Sequence, residues 1–108
     1  MKTVAISASS SGNNTLVAAV TGKRIRVVSY VLSFSGTVNA KFTDGAGGSD
    51  LTGLLYGAAG VNVSAAPHSD GRFHGPAGHF ETGQGTALVL NLSGATAVGG
   101  HLTYDEVN

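Results

Sequence analysis

The sequence predicts an all-β protein, a single-domain antiparallel β-sandwich that is jelly-roll-like and has about eight to nine strands. Apolar and polar residues alternate with a period of two in one segment after another, whereas no segment shows the 3.6-residue period of a helix. Turn signals rich in Gly, Ser and Asn recur roughly every 8–12 residues, which is typical of a sandwich or barrel. A chain of 108 residues has room for one hydrophobic core, so residues 1–108 form one domain.

The alternation also places the strands along the chain. We expect strands at residues 3–8, 15–20, 23–35, 37–43, 51–56, 61–65, from Phe80, and at 86–92 and 98–107. Small polar residues and glycines at 9–14, 44–50, 57–60 and 93–95 favour turns or loops between them. Because only Gly36 separates two alternating segments, residues 23–35 and 37–43 are expected to pair as a β-hairpin.

The longest segment contains a slip in its alternation at Val28. Ile25 and Val27 share one face before the slip. The apolar positions after it are Val28, Tyr30, Leu32 and Phe34. A β-bulge produces such a slip, and a central strand covered on both faces is the alternative. Serines fill the opposite face after the slip, which favours the bulge.

Composition excludes several classes of function. The chain has 17 Gly, 11% charged residues, a formal net charge of +0 and no Cys. Without Cys it has no disulfide, thiolate metal site or thiol nucleophile. A neutral chain lacks the excess of Lys and Arg that neutralises phosphates, so we expect no nucleic-acid partner. No apolar run approaches the roughly 18 residues of a membrane span, and no signal-peptide hydrophobic region follows Met1, so we expect no membrane partner.

Charge is divided unevenly between the two halves of the chain. Residues 1–43 contain five cations and no acid, whereas residues 44–108 contain six acids and one cation, Arg72. Strands from both halves are expected to interleave in one domain, which favours an ordinary solvated surface. The alternative is a pair of complementary faces for ordered association.

No arrangement of side chains predicts catalysis or a cofactor. No Ser lies in a Gly-x-Ser-x-Gly turn, and no pair of carboxylates has a spacing that indicates acid–base chemistry, so we expect no enzyme. The irregular segment 67–79 carries His68, Asp70, His74 and His79, which are possible zinc or nickel ligands, but their spacing matches no known closed site. Asp44 and Asp50 flank a Gly-rich segment that supplies too few oxygen ligands for calcium. We therefore predict that 67–79 is a polar surface loop and that 44–50 is a hairpin loop. We expect neither segment to bind a metal ion.

The polar faces point instead to association. They consist of Ser, Thr, Asn and Gly, whereas a free-standing domain commonly shows a surface of roughly 25–35% charged residues. Small uncharged side chains lose little entropy when a partner covers them. Tyr30, Phe34 and Phe42 lie on apolar faces and are predicted to be core, whereas Tyr56 and Phe73 lie near or in loops and are candidate contact residues.

Several segments resemble small structural proteins of tailed bacteriophages, from residue 3 to residue 107. The segments are Val-Ala-Ile-Ser-Ala at 4–8, Asn-Thr-Leu-Val-Ala-Ala at 14–19, Gly-Lys-Arg-Ile-Arg-Val at 22–27, Thr-Gly-Leu-Leu-Tyr-Gly at 52–57 and Ala-Val-Gly-Gly-His-Leu-Thr-Tyr at 97–104. The resemblance is one of pattern and carries no catalytic motif. It implies a virion component, either a capsid decoration (cement) protein or a β module of a head or tail fibre.

From the resemblance and the surface together we expect a decoration protein on the outer surface of the head, assembled in the host cytoplasm. Its partners would be the major capsid protein of the same virion and itself, as a homotrimer. Lys23, Arg24, Arg26 and Lys41 would supply the electrostatic part of docking. The alternative is a receptor- or glycan-binding module, with contacts from the 67–79 loop and from Tyr56. Within that loop the candidate contact residues are His68, Arg72, Phe73 and His74.

Overall fold

The computed structural model describes residues 1–66 and 78–108, and those residues form nine β-strands and no helix. The strands are β1 (Lys2–Ala8), β2 (Gly12–Val17), β3 (Arg24–Phe34), β4 (Val38–Asp44), β5 (Leu55–Gly57), β6 (Asn62–Ala65), β7 (Phe80–Glu81), β8 (Leu88–Leu92) and β9 (Val98–Val107). The predicted number of strands and the all-β class are therefore confirmed. The second strand begins earlier than expected, at Gly12, because its polar first residues pair with β8.

The strands form two antiparallel sheets with the strand order of a jelly roll. Sheet A has the order β1-β9-β3-β6, with β7 also paired to β3, and sheet B has the order β2-β8-β4-β5. β6 pairs with residues 30–33 of β3 and β7 pairs with residues 26–27, so the two short strands share one position at the edge of sheet A. Each sheet thus has four strand positions, and the chain crosses between the sheets as a jelly roll requires.

The predicted bulge lies where the alternation slips. β3 and β9 pair as Val27↔Tyr104 and Ser29↔Thr103, which leaves Val28 as the extra residue in β3. Because of this extra residue, both Val27 and Tyr30 belong to the core between the sheets. The bulge interpretation is therefore confirmed.

The expected hairpin between β3 and β4 is wrong. β3 pairs with β9, β6 and β7 in sheet A, whereas β4 pairs with β8 and β5 in sheet B. Both strands carry bulky apolar side chains on one face, such as Phe34 and Phe42, and these bury more completely when the strands face each other across the core. The three residues between the strands therefore form a crossover between the sheets, not a hairpin turn.

The core lies between the inner faces of the sheets and contains three packed aromatic rings. The ring centroid of Phe42 lies 5.0 Å from that of Tyr30 and 5.0 Å from that of Phe80, so strands of both sheets meet at this cluster. The largest fully buried side chains are Phe34, Phe42, Ile25, Leu32, Leu88, Leu90, Leu92 and Leu102. Tyr30, Phe34 and Phe42 are buried as predicted.

Two glycines allow close approaches that a side chain would prevent. Gly100 has φ +135°, and a Cβ there would overlap the backbone carbonyl oxygen of Val31 on the neighbouring strand. A Cβ at Gly57 would overlap the ring of Phe34, so the absence of a side chain at the end of β5 lets that ring fill the core. These contacts hold β9 and β5 close to their neighbours.

We expect Gly100→Ala to lower the free energy of unfolding by at least about 2 kcal/mol, because it combines an unfavourable φ with a backbone overlap. Gly99→Ala is the matched control, since a Cβ at Gly99 would meet only the carbonyl oxygen of Ile6, at 3.7 Å. Chemical denaturation of both variants measures the difference. Equal stabilities of the two variants would contradict the close approach.

Candidate interaction surfaces

The basic residues predicted to dock a partner do not share one surface. Arg24 and Arg26 alternate with core residues in β3 and therefore lie on the outer face of sheet A, with Lys23 just before them. Lys41 lies in β4 of sheet B, where its neighbours Ala40 and Phe42 face the core. Tyr56 lies in the edge strand β5. The other predicted contact residues, His68, Arg72, Phe73 and His74, lie outside the described residues.

Ion pairs connect the basic first half of the chain to its acidic second half. Lys2 Nζ lies 3.1 Å from Glu106 Oε1, Arg26 Nη2 lies 3.1 Å from Glu81 Oε2, and Lys41 Nζ lies 2.9 Å from Asp50 Oδ1. These side chains are partly exposed, so each pair adds little to stability. Their effect is on the surface, because the pairs neutralise charge within the chain. The uneven distribution of charge along the sequence therefore becomes local pairing in the fold.

The remaining first-half cations and the acid at the end of β4 also have partners. Lys23 Nζ donates to Asn108 Oδ1 at 2.6 Å, and Arg24 Nη1 donates to the carbonyl oxygen of Thr82 at 3.5 Å. Asp44 Oδ1 accepts a hydrogen bond from the backbone N–H of Gly83 at 2.8 Å. A docking partner that met these residues would have to compete with bonds inside the chain.

Charge is concentrated at one end of the sandwich, which we call the charged end. There β1 and β3 begin and β4 and β9 end, and Lys2, Arg24, Arg26, Asp44 and Glu106 all lie in these terminal parts of strands. At the opposite end lie the loops 9–11, 35–37, 58–61 and 93–97, which contain only Ser, Gly, Thr, Ala and one Val. The domain is therefore polarised along its strands.

Most of the outer face of sheet A is covered by small uncharged side chains, and we call this part the small-residue face. Its residues alternate with core residues in four strands and lie side by side in the registers Ala5↔His101↔Val31↔Ser64 and Ser7↔Gly99↔Ser33↔Asn62. Its members are Thr3, Ala5, Ser7, Ser29, Val31, Ser33, Asn62, Ser64, Gly99 and Thr103, together with the larger side chain of His101. Such a face lets another backbone approach closely over four strands.

A shallow open cavity of about 290 Å³ lies within the small-residue face, where β3 and β6 meet. Its lining includes Ser29, Val31, Ser64, Ala65 and His101. At its margin, His79 Nε2 lies 2.6 Å from the carbonyl oxygen of Ala66. The volume of the cavity is at the lower limit of common ligand pockets, about 300 Å³.

The exposed large apolar side chains lie mainly at the side of the sandwich formed by β5 and β6. Tyr56 is 72% exposed, Leu54 is 47% exposed and Val61 is 37% exposed. Residues 51–66 contain no charged side chain, although they include an edge strand of each sheet. Soluble proteins usually protect such edges with Lys, Pro or a bulge. Tyr56, a candidate contact residue, thus lies exposed at this side of the sandwich.

The structure gives the two aspartates of the Gly-rich segment structural roles. Asp50 pairs with Lys41, and Asp44 anchors Gly83. The backbone N–H of Asp44 donates to the carbonyl oxygen of Ser49, which closes the loop between them. Within residues 1–66 and 78–108, no group of three or more His, Asp or Glu side chains is arranged to hold a metal ion.

The small-residue face and the exposed apolar side formed by β5 and β6 were not identified as sites from the sequence. The alternation does indicate which residues of each strand point outward, but it does not indicate which strands are neighbours. The register between β1, β9, β3 and β6 is needed to bring their small side chains onto one surface.

The described residues form a jelly-roll domain with two candidate interaction surfaces, the small-residue face and the exposed apolar side formed by β5 and β6. Comparison with models of known protein families, with curated proteins and with solved structures finds no match for the chain. In the part of the chain that the structure describes, no helix long and apolar enough to cross a membrane is found.

Burial at the aromatic cluster predicts a pH dependence. Desolvation raises the pKa of the Tyr30 hydroxyl above its ordinary value of 10.0. Above pH 10 the unfolded chain therefore loses this proton before the folded protein does, and stability falls as the pH rises through the folded pKa. We expect Tyr30→Phe to lose less stability than the wild type between pH 8 and about pH 11, measured by urea denaturation.

Tyr56→Phe is the matched control for this pH dependence, because it removes a hydroxyl from a side chain that is 72% exposed. It should retain the alkaline loss of stability that the wild type shows. An identical loss in the Tyr30→Phe variant and the wild type would contradict the effect of burial.

Proposed function

We propose that the protein is a bacteriophage virion structural protein, a capsid decoration (cement) protein that binds the outside of the assembled head and stabilises it. The observation that carries the proposal is the small-residue face, which offers a broad uncharged surface on four strands of a jelly roll. The resemblance of several segments to small structural proteins of tailed phages gives the proposal its context. Jelly rolls are also a common architecture of viral shells.

The chemistry of the small-residue face suits a large protein partner. Ser and Thr hydroxyls donate and accept hydrogen bonds across a close contact, and they lose little side-chain entropy when they are covered. A charged surface would instead have to be desolvated when the partner binds. The face can therefore be covered at low cost by a surface of similar character on the major capsid protein.

Stabilisation of the head follows from the preference of such a protein for the assembled shell. A protein that binds two neighbouring capsid subunits binds the assembled state and has less affinity for free subunits. Binding then shifts the equilibrium toward the assembled shell by mass action. In this proposal the decoration protein acts as a ligand of the shell and needs no catalytic group or cofactor.

The internal ion pairs reduce the contribution that basic residues can make to docking on the capsid. Arg26 and Lys41 already have acidic partners, so they do not offer an excess of positive charge. Docking through the uncharged face would depend weakly on salt, since few ion pairs form between the partners. The homotrimer remains part of the proposal, and light scattering on the purified chain tests it.

The alternative proposal is a receptor- or glycan-binding module of a head or tail fibre. Its support in the described residues is the 72% exposure of Tyr56, since exposed aromatic rings often anchor recognition. The candidate contact loop spans 67–79, and its residues 67–77 lie outside the described part of the chain. Binding to host cells together with failure to bind capsids would favour this alternative.

Co-sedimentation with capsids that lack the protein tests the decoration proposal. We expect saturable binding of the wild type and at least about tenfold weaker binding of Ser33→Glu, because the variant places an unpaired carboxylate in the small-residue face. Ser33 is exposed, so the substitution leaves the core intact.

Thr15→Glu is the matched control, because Thr15 is also exposed but lies in β2 of the other sheet. It should bind capsids as the wild type does. Absence of wild-type binding would contradict the decoration proposal, and equal weakening by both variants would contradict the assignment to sheet A.

A further inference from the structure

The edge of β5 has backbone groups that point away from the protein. Asn39 in the neighbouring strand β4 uses its N–H and C=O toward β8, since it donates to Ser93 Oγ and accepts from the N–H of Ser93, both at 2.9 Å. In an antiparallel strand, successive residues direct their backbone groups to opposite sides. Val38 and Ala40 therefore face β5, where their register partners are Gly57 and Leu55.

Tyr56 lies between Leu55 and Gly57 in β5. Its backbone N–H and C=O therefore point away from β4 and out of sheet B. Phe42 follows the same alternation, because its backbone groups bond on the β5 side to Leu51 N–H and Thr52 Oγ1. In the described part of the chain, no hydrogen bond reaches the backbone groups of Tyr56. An exposed aromatic side chain and an open backbone donor and acceptor thus occur in the same residue.

The edge strands β1 and β2 are better protected against pairing with a second chain. At the opposite side of sheet B, β2 has a bulge between Thr15 and Val17. At the edge of sheet A, β1 begins with Lys2. Bulges and edge lysines both discourage strand addition. The segment around β5 has neither and is flanked by the exposed apolar side chains Leu54 and Val61.

We propose that β5 pairs antiparallel with β5 of a second copy of this chain, about a two-fold axis at Tyr56. Each Tyr56 would then donate its N–H to the carbonyl oxygen of the other copy's Tyr56, and sheet B would continue from one copy into the next. Leu54 would lie opposite Ala58, and Leu55 opposite Gly57. This strand addition does not depend on the proposed role in the virion.

The charge distribution favours a second copy as the partner. A two-fold pair places each residue of 54–58 opposite another uncharged residue, so no like charges meet. The two Tyr56 side chains would lie side by side on one face as a cross-strand aromatic pair. The charged end lies at the far ends of the strands and contains internal ion pairs, so it adds little repulsion.

Proline at position 56 tests the pairing with little effect on the fold. Tyr56→Pro removes the outward N–H, and proline is tolerated at sheet edges because no internal hydrogen bond is lost. A two-fold contact doubles the mass of a single chain of 10.7 kDa, and it doubles the mass of the trimer expected from the sequence when the three β5 edges close into a hexamer of D3 symmetry. We therefore expect light scattering at micromolar concentration to give half the wild-type mass for Tyr56→Pro.

Two further variants make the result specific. Tyr56→Lys keeps the N–H but places two ammonium groups opposite each other, so it should also halve the mass. Ser64→Pro is the matched control, since Ser64 lies in the edge strand β6 of sheet A, beside the same side of the sandwich. It should keep the wild-type mass. Thermal melting of each variant establishes that the fold is retained.

A wild-type mass equal to that of Tyr56→Pro would overturn the proposal. So would a halved mass in Ser64→Pro alone, which would assign the contact to sheet A. If the wild type is a single chain and Tyr56→Pro loses binding to capsids, the capsid protein occupies the edge and a second copy does not. Failure of the wild type to bind capsids, with the mass still halved by Tyr56→Pro, would contradict only the virion role.

Discussion

The bulge at Val28 determines which side chains of β3 lie in the core and which lie on the outer face of sheet A. Without the extra residue, the alternation that places Ile25 and Val27 in the core would place Tyr30, Leu32 and Phe34 on the outer face. With it, all five side chains pack between the sheets, and Arg26, Ser29 and Ser33 face outward. The aromatic cluster and the small-residue face both depend on this one irregularity in β3.

The proposed functions rest on the fact that bulky, charged and small neutral side chains occupy different parts of the molecule. Bulky apolar side chains fill the core, paired charges gather toward one end, and small neutral side chains cover much of sheet A. The edge at Tyr56 is different, because it combines exposed apolar area with open backbone groups. One surface is suited to lying flat on a large partner, and the other is suited to adding a strand.

Sequence patterns predicted the features that depend on neighbours along the chain. The slip at Val28 and the burial of Tyr30, Phe34 and Phe42 follow from alternation within a strand. The prediction of a hairpin between β3 and β4 was wrong, because the two strands lie in different sheets. Which strands pair depends on the arrangement that buries most apolar area, and not on the length of the connection. The outward groups of Tyr56 depend on the register with Asn39, which the sequence alone does not specify. The ion pairs between distant residues such as Lys2 and Glu106 depend on the same long-range register.

The central claim of the proposed function is that this jelly roll binds the outer surface of a virion head. A cryo-electron microscopy map of the virion to which the proposal assigns this chain tests the claim most directly. The claim predicts density for a two-sheet jelly roll on the outer surface of the head, with the small-residue face toward the shell. A complete map in which the head carries no such density would contradict it.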